Sequence, residues 1–274
     1  LKDKSIAIVL GVTAGLLAGY LASTLFMSDK IMPGTTINGA DFSMIPRGEL
    51  NERLSEMERD AYAITIRDIH KNEFTIKGSD IDLTASFPVE KIRVQNPLIY
   101  PYYMLNPGDY FIEPDSVSFN DEKLKSIIDH DLLPQEGTTD APVDAFLTAY
   151  IPGAGYTIAA EEDGDTPDAD KVIGVVKDAI SDRAVFVDLA DENCYYTASV
   201  RSDDALLNQR AATLNDALAA SITYDLGNRK IVLNSDIYYP WLDKQEDGSV
   251  SLNDEKVEEY VTELKSSTDT AYTT

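Results

Sequence analysis

The sequence predicts an α+β protein. An N-terminal transmembrane helix precedes two related helix-plus-small-sheet modules, which flank a middle β-hairpin/helix/strand unit. Three observations lead there. Ser5 to Met27 is apolar and uncharged, the sequence beyond it contains a repeat, and strand-like alternation follows helical spacing in both copies. Interleaved helix and strand signals of this kind fit small sheets packed against helices.

The first element is the anchor. At about 1.5 Å per residue, Ser5 to Met27 is long enough to cross a hydrocarbon core of about 30 Å. A cleaved signal peptide competes with an uncleaved anchor. Its apolar core is shorter, about 7–15 residues, and Ala22-Ser23-Thr24 is a poor cleavage site, so the anchor is preferred. Lys2 and Lys4 precede the run and place the N-terminus in the cytoplasm, with the rest of this single-pass cell-membrane protein facing outward. Gly11, Gly15 and Gly19 lie at four-residue spacing with Ala7 and Ser23. This small-residue stripe lets helix backbones approach, so a homodimer through it is one expectation.

Two stretches beyond the anchor repeat. Val117-Ser118-Phe119-Asn120-Asp121-Glu122-Lys123-Leu124 returns as Val250-Ser251-Leu252-Asn253-Asp254-Glu255-Lys256-Val257. Ser79-Asp80-Ile81 returns as Ser235-Asp236-Ile237, and Leu50-Asn51-Glu52-Arg53 as Leu207-Asn208-Gln209-Arg210. The order is kept, but the spacing shrinks in the second copy, which implies an insertion between Ile81 and Val117. Each copy opens on a helix, with Leu50, Leu54 and Met57 in one and Leu207, Ala211, Leu214 and Leu218 in the other. Strands follow, with Tyr62, Ile64 and Ile66 alternating in the first copy and Ile222 and Tyr224 in the second. Asn120 and Asn253 sit where N-caps of a final helix belong.

Between the copies, residues 142–199 read as a separate unit. Val143 to Ala149 alternate as a strand, Pro152-Gly153-Ala154-Gly155 turns, and Tyr156-Thr157-Ile158 returns. Asp168 caps a helix carrying Val172, Val176 and Ile180, and Val185 to Leu189 form a closing strand. The expected organisation is an anchor at 1–30, a first module at 31–136, a linker at 137–141, the middle unit with the second module at 142–267, and a linker at 268–274.

Charge limits the function. The chain holds 23 Lys+Arg against 48 Asp+Glu, a net of −25, and the whole imbalance lies beyond the anchor. Nucleic acid is excluded as a partner because phosphate contacts need clustered cations, and an electrostatic grip on anionic lipid headgroups is disfavoured for the same reason. One cysteine rules out an intrachain disulfide. With two histidines it also argues against a structural zinc, and no cofactor is expected.

The motif Pro33-Gly34-Thr35-Thr36-Ile37-Asn38-Gly39-Ala40-Asp41 directly after an anchor resembles the start of many wall-associated ectodomains. Pro142-Val143-Asp144-Ala145, Gly155-Tyr156-Thr157-Ile158 and Glu161-Glu162-Asp163-Gly164 resemble a peptidoglycan-binding domain. That domain lies N-terminal to the catalytic domain of YkuD-type L,D-transpeptidases and also occurs with VanW-type proteins. The resemblance implies a non-catalytic, membrane-anchored region that binds peptidoglycan and spaces a catalytic domain from the membrane. The catalytic Ser/Thr-His-Gly-Cys signature is absent, so the expectation is that the catalytic domain lies beyond Thr274.

The remaining chemistry is sparse. Cys194, beside Asp191 and Glu192, reads as a buried structural cysteine rather than a thiolate nucleophile. His70 and His130 read as structural, the latter as a helix C-terminal residue. The cluster Glu161 to Asp165 fails the EF-hand pattern, because the sixth and twelfth positions from Asp163 are Asp168 and Gly174. A solvated turn is the preferred account of it. No pair of carboxylates stands out as a glycosidase acid and nucleophile. Aromatics are the candidates for glycan contact: Tyr102 and Tyr103 with Tyr100, taken to correspond to Tyr238, Tyr239 and Trp241. Core packing is the stronger reading for all of them, and Trp241 is the first to test. A structural or sensory ectodomain that binds a protein partner is the alternative function, and a hydrolase or transferase the third.

Overall fold

The computed structural model describes residues 2–93, 95–135, 137–227, 229–245 and 249–268. The chain is mixed α and β with small sheets. One helix, Lys4–Met27, is long and apolar enough to cross a membrane. The linker expected at 268–274 lies outside the described residues except for Thr268, the last residue of the final helix.

Contacts divide the chain into two compact units. One comprises Leu1–Pro134 with Asp168–Cys194, the other Gln135–Pro167 with Tyr195–Thr274. This corrects the expected middle unit, which is split. Its hairpin, Phe146–Leu147 with Ile158–Ala159, belongs to the second unit. Its helix, Ala169–Ser181, and its strand, Phe186–Asp188, belong to the first. The reason is a strand edge: Phe186–Asp188 pairs in parallel with Ala63–Arg67, which also pairs antiparallel with Glu73–Lys77. Ile64, Ile66 and Ile76 of that sheet are buried, as are Val172, Val176 and Ile180 of the helix.

In the first unit the motif after the N-terminal helix builds a hairpin. Thr36–Ile37 pairs with Ala40–Asp41 through Asn38 and Gly39, at φ 49° and 82°. Both turn positions need φ > 0, which Asn-Gly supplies at low cost. The Asn38 amide donates to the Ile112 carbonyl and accepts from its N–H, both at 2.9 Å, extending the pairing with Asp109–Tyr110. Ile31, Ile37, Phe42, Leu50, Leu54 and Phe87 form the adjoining core.

The same succession of elements occurs in both units. In the first it runs helix Leu50–Ala61, hairpin Ala63–Arg67 with Glu73–Lys77, turn Gly78–Ile81, strand pair Thr84–Ser86 with Ser116–Ser118, and helix Asp121–Ile127. In the second it runs helix Ala205–Ala217, hairpin Ile222–Asp225 with Lys230–Leu233, turn Ser235–Trp241, strand pair Leu242–Lys244 with Val250–Leu252, and helix Asp254–Thr268. Each final helix begins at an asparagine cap. Asn120 Oδ1 accepts from the N–H groups of Glu122 and Lys123, and Asn253 Oδ1 from that of Lys256. His130 lies in the π-helical turn Ile128–Leu132 that continues the first of these helices. It is exposed, with Nδ1 beside the Asp131 carboxylate.

Candidate functional site

An apolar cleft of about 420 Å³ opens in the second unit between the Ile222–Asp225 hairpin, the Leu242–Lys244 strand pair and the final helix. Local chemistry builds it. Asp204 caps the Ala205–Ala217 helix by accepting from the Leu207 N–H at 2.8 Å, and the helix buries Leu214 against Leu218, Leu233 and Tyr238. The Tyr238 ring is buried and its hydroxyl donates to the Ala220 carbonyl at 2.7 Å, while burial raises its pKa. Pro240 then turns the chain so that Trp241 stands between Tyr238 and Tyr260, with ring centroids at 6.3 and 5.0 Å.

A second row of rings adjoins it. Tyr239 stacks on Tyr150 at 4.1 Å with planes 11° apart, and Tyr150 meets Tyr156 edge-on at 5.7 Å. The Lys244 ammonium lies 4.3 Å from the centre of the Tyr156 ring. The Tyr150 hydroxyl donates to Asp236, and that bond raises the phenol's pKa. Asn215 fixes Tyr156 by bonding both its N–H and its carbonyl, at 2.9 and 2.8 Å.

Tyr238, Tyr239 and Trp241 are therefore together, while Tyr102 and Tyr103 lie in the other unit. The expected correspondence between the two aromatic runs is corrected: Tyr238 to Trp241 precede the strand Leu242–Lys244, whereas Tyr100–Leu105 follows the strand Thr84–Ser86, inside the insertion. Tyr102 is 59 % exposed and meets Tyr103 edge-on at 5.8 Å. The sequence reading missed that Tyr150, Tyr156, Tyr224 and Tyr260 pack in one cluster with Trp241. Tyr224 in its strand alternation, Tyr156 in the returning strand and Tyr260 at helical spacing from Val257 carried signals for their elements, but none for this cluster. Among the described residues that line the cleft there is no carboxylate, histidine or thiol, and the lining suits apolar and ring contacts rather than proton transfer. Gly11, Gly15 and Gly19 lie along the N-terminal helix, and a Cβ at any of them would meet nothing within 4 Å.

The densest acidic segment is a set of backbone clamps. Asp144 Oδ1 accepts from the N–H groups of Ser199 and Val200, Asp163 from that of Ala198, and Glu161 from that of Ser202. The Arg201 guanidinium, bonded to Asp163 at 2.8 Å, holds that carboxyl below its ordinary range, aided by the Ala198 N–H. Glu161 is lowered first by its own backbone N–H and then by that of Ser202. Among the described residues no group of three or more His, Cys, Asp or Glu is placed to hold a metal ion.

In the first unit Cys194 is fully buried, and burial raises its pKa, which keeps it a thiol. Asp188 is also buried. Arg67 bonds its Oδ2 through Nε and Nη2 at 2.8 and 2.7 Å, and Lys71 lies at 3.3 Å. The Arg67 contact is the main reason its carboxyl falls from 3.8 to about 2. A depressed carboxylate stabilises the fold fully above its unfolded pKa and loses that contribution as pH falls through the folded value. The stability difference between wild type and Asp188→Asn is therefore expected to be constant above about pH 5. It should close as pH falls from 3.8 towards about 2. Urea midpoints measured across that range check it; a difference that persists at the lowest pH contradicts it.

Comparisons with protein-family models, with curated proteins and with solved structures give no significant match. The family resemblance thus stands on its own motifs. Each of these has a structural task here: a hairpin at Asn38-Gly39, backbone clamps at Asp144, Glu161 and Asp163, and a close backbone approach at Gly164.

Proposed function

We propose that this chain is the non-catalytic, membrane-anchored, extracytoplasmic peptidoglycan-binding and spacer region of an L,D-transpeptidase-like cell-wall protein, built from two related modules. The Lys4–Met27 helix holds it in the cell membrane as a single pass, with the N-terminus in the cytoplasm and the two units facing the wall. The observation that carries this reading is the aromatic cleft around Trp241. Flat rings cover the apolar faces of sugars and the methyl groups of peptide stems, while tyrosine hydroxyls and Ser251 at the edge offer hydrogen bonds. With a net charge of −25 the chain is repelled by anionic wall polymers, so binding comes from ring contacts and hydrogen bonds.

Co-sedimentation of the detergent-solubilised chain with purified peptidoglycan tests this. The chain is expected to pellet, and raising the salt should not release it, because screening removes repulsion rather than attraction. Trp241→Ala is expected to weaken binding about tenfold, equivalent to about 1.4 kcal/mol. A chain that stays in the supernatant at low and moderate salt, with and without calcium, overturns the proposal.

The apolar lining favours one second reading, a structural or sensory ectodomain whose cleft takes an apolar segment of a protein partner. Leu252 and Val261 at its rim are 54 % and 52 % exposed. Pairing through the glycine stripe belongs to that reading. Crosslinking in membranes should then give a dimer band that Gly15→Ile removes, and a band of equal intensity in both chains excludes the stripe.

A further inference from the structure

The first unit carries a long insertion between the two strands of its strand pair. In the first unit 29 residues, 87–115, lie between Ser86 and Ser116, whereas in the second unit only residues 245–249 separate Lys244 from Val250. The centre of the insertion, Gln95 to Gly108, contains no charged residue in a chain that is 26 % charged. It folds as a turn, Pro97–Ile99, and a short helix, Tyr100–Leu105.

This segment packs on the membrane helix itself. The Tyr20 ring stacks on Tyr100 at 5.8 Å, the Tyr20 hydroxyl donates to the Leu98 carbonyl, and the Ser23 hydroxyl donates to the Tyr100 oxygen at 3.1 Å. Thr24 is buried there and Ser23 is half-buried, whereas residues 4–22 of the helix are exposed. The depth follows from helix geometry. Twenty-four residues span about 36 Å, some 6 Å more than the hydrocarbon core of about 30 Å. Tyr20 lies about 10 Å before Met27, more than that excess, so the contact sits a few Å inside the outer edge of the hydrocarbon rather than in bulk water.

The exposed side chains of this segment are apolar. Leu98, Met104 and Leu105 are 53 %, 61 % and 83 % exposed, with Tyr102 beside them. The backbone ends are satisfied internally: Asn96 accepts from the Leu98 N–H at 2.9 Å, and the Asn106 side chain and N–H both donate to the Tyr102 carbonyl. An apolar, uncharged, internally bonded segment with tyrosines at its edge is suited to the bilayer interface. We propose that Pro97–Leu105 inserts into the outer leaflet beside the anchor, fixing the first unit against the membrane surface. The occupant of this face is lipid, because the surface is continuous with the helix that crosses the bilayer. The inference rests on the anchor reading.

The test uses the full chain in vesicles of phosphatidylcholine. Leu105→Cys is labelled with an environment-sensitive fluorophore. Cys194, the only native cysteine, is fully buried and stays unlabelled in the folded chain. The expected result is blue-shifted emission, at least about twofold quenching by lipids brominated on their acyl chains, and little quenching by aqueous iodide. Met104→Cys should report the same if the first variant fails to fold. A label quenched by iodide and not by bromolipid overturns the proposal while vesicle flotation still supports the anchor. Shielding from both quenchers that disappears when the protein is diluted in lipid means a second copy covers the face, and also overturns it. A chain that fails to float with vesicles removes the anchor reading and this inference with it.

Discussion

Gly164→Ala is expected to unfold the second unit at temperatures where the wild type is intact. A Cβ at this position would lie 2.0 Å from the Asp140 carbonyl oxygen and 2.7 Å from the Pro142 nitrogen. Both are backbone atoms, so no side chain can rotate away. Relief requires moving the segment, which breaks the Asp165 N–H bond to the Asp140 carbonyl and the Asp140 N–H bond to Asp165 Oδ1. Overpacking costs about 1–3 kcal/mol where side chains can yield, and a rigid backbone places this substitution at or above the top of that range. At roughly 4–8 °C per kcal/mol for a domain of about 100 residues, the melting temperature should fall by roughly 12–24 °C. Trp241 is the only tryptophan and lies in the second unit, so its fluorescence follows that unit alone. An unchanged fluorescence transition would show that Gly164 is dispensable.

The second large effect is expected in the other unit. Ile66 is fully buried in the central strand of the three-stranded sheet, paired with Val187 on one side and Phe74 on the other. Truncation to Ala removes buried methyl groups and leaves a cavity, for a loss of about 2–5 kcal/mol. Ile222 occupies the matching hairpin of the second succession but is 49 % exposed, so Ile222→Ala should cost less than about 1 kcal/mol. The buried Cys194 thiol reads out the first unit, because it reacts only when that unit opens. In dilute urea Ile66→Ala should accelerate its labelling more than tenfold, by the conversion of about 1.4 kcal/mol per decade. The Trp241 fluorescence transition, which follows the second unit, should hardly shift in Ile222→Ala. Equal effects from the two substitutions would mean that the burial difference does not govern stability.

Those two isoleucines also mark how far the sequence could be read. Both stand in short apolar–polar alternations, and both alternations form hairpins. What the pattern could not tell was that one hairpin acquires a third strand. Phe186–Asp188 comes from more than a hundred residues downstream, and nothing in its local sequence names Ala63–Arg67 as its partner. Strand pairing depends on a compatible edge and face, which many short apolar segments offer equally. For the same reason the middle unit was read as one piece, although its helix and strand belong elsewhere. The candidate site was legible only in part. Tyr238, Tyr239 and Trp241 are adjacent in sequence and meet in one place, but Tyr150 and Tyr156 join them from eighty or more residues away.

The sequence by itself determined the features that local physics controls. An uncharged apolar run makes the long N-terminal helix, Asn-Gly makes the turn at Asn38-Gly39, and asparagines cap the helices at Asn120 and Asn253. Each depends on interactions within a few residues, so the pattern and the outcome lie side by side. Only the tertiary structure decided which strand completes the sheet, which aromatics line the cleft, and that the acids at Asp144, Glu161 and Asp163 clamp backbone N–H groups. These outcomes depend on contacts between segments distant in the chain, whose free energy comes from shape and burial that no single segment encodes.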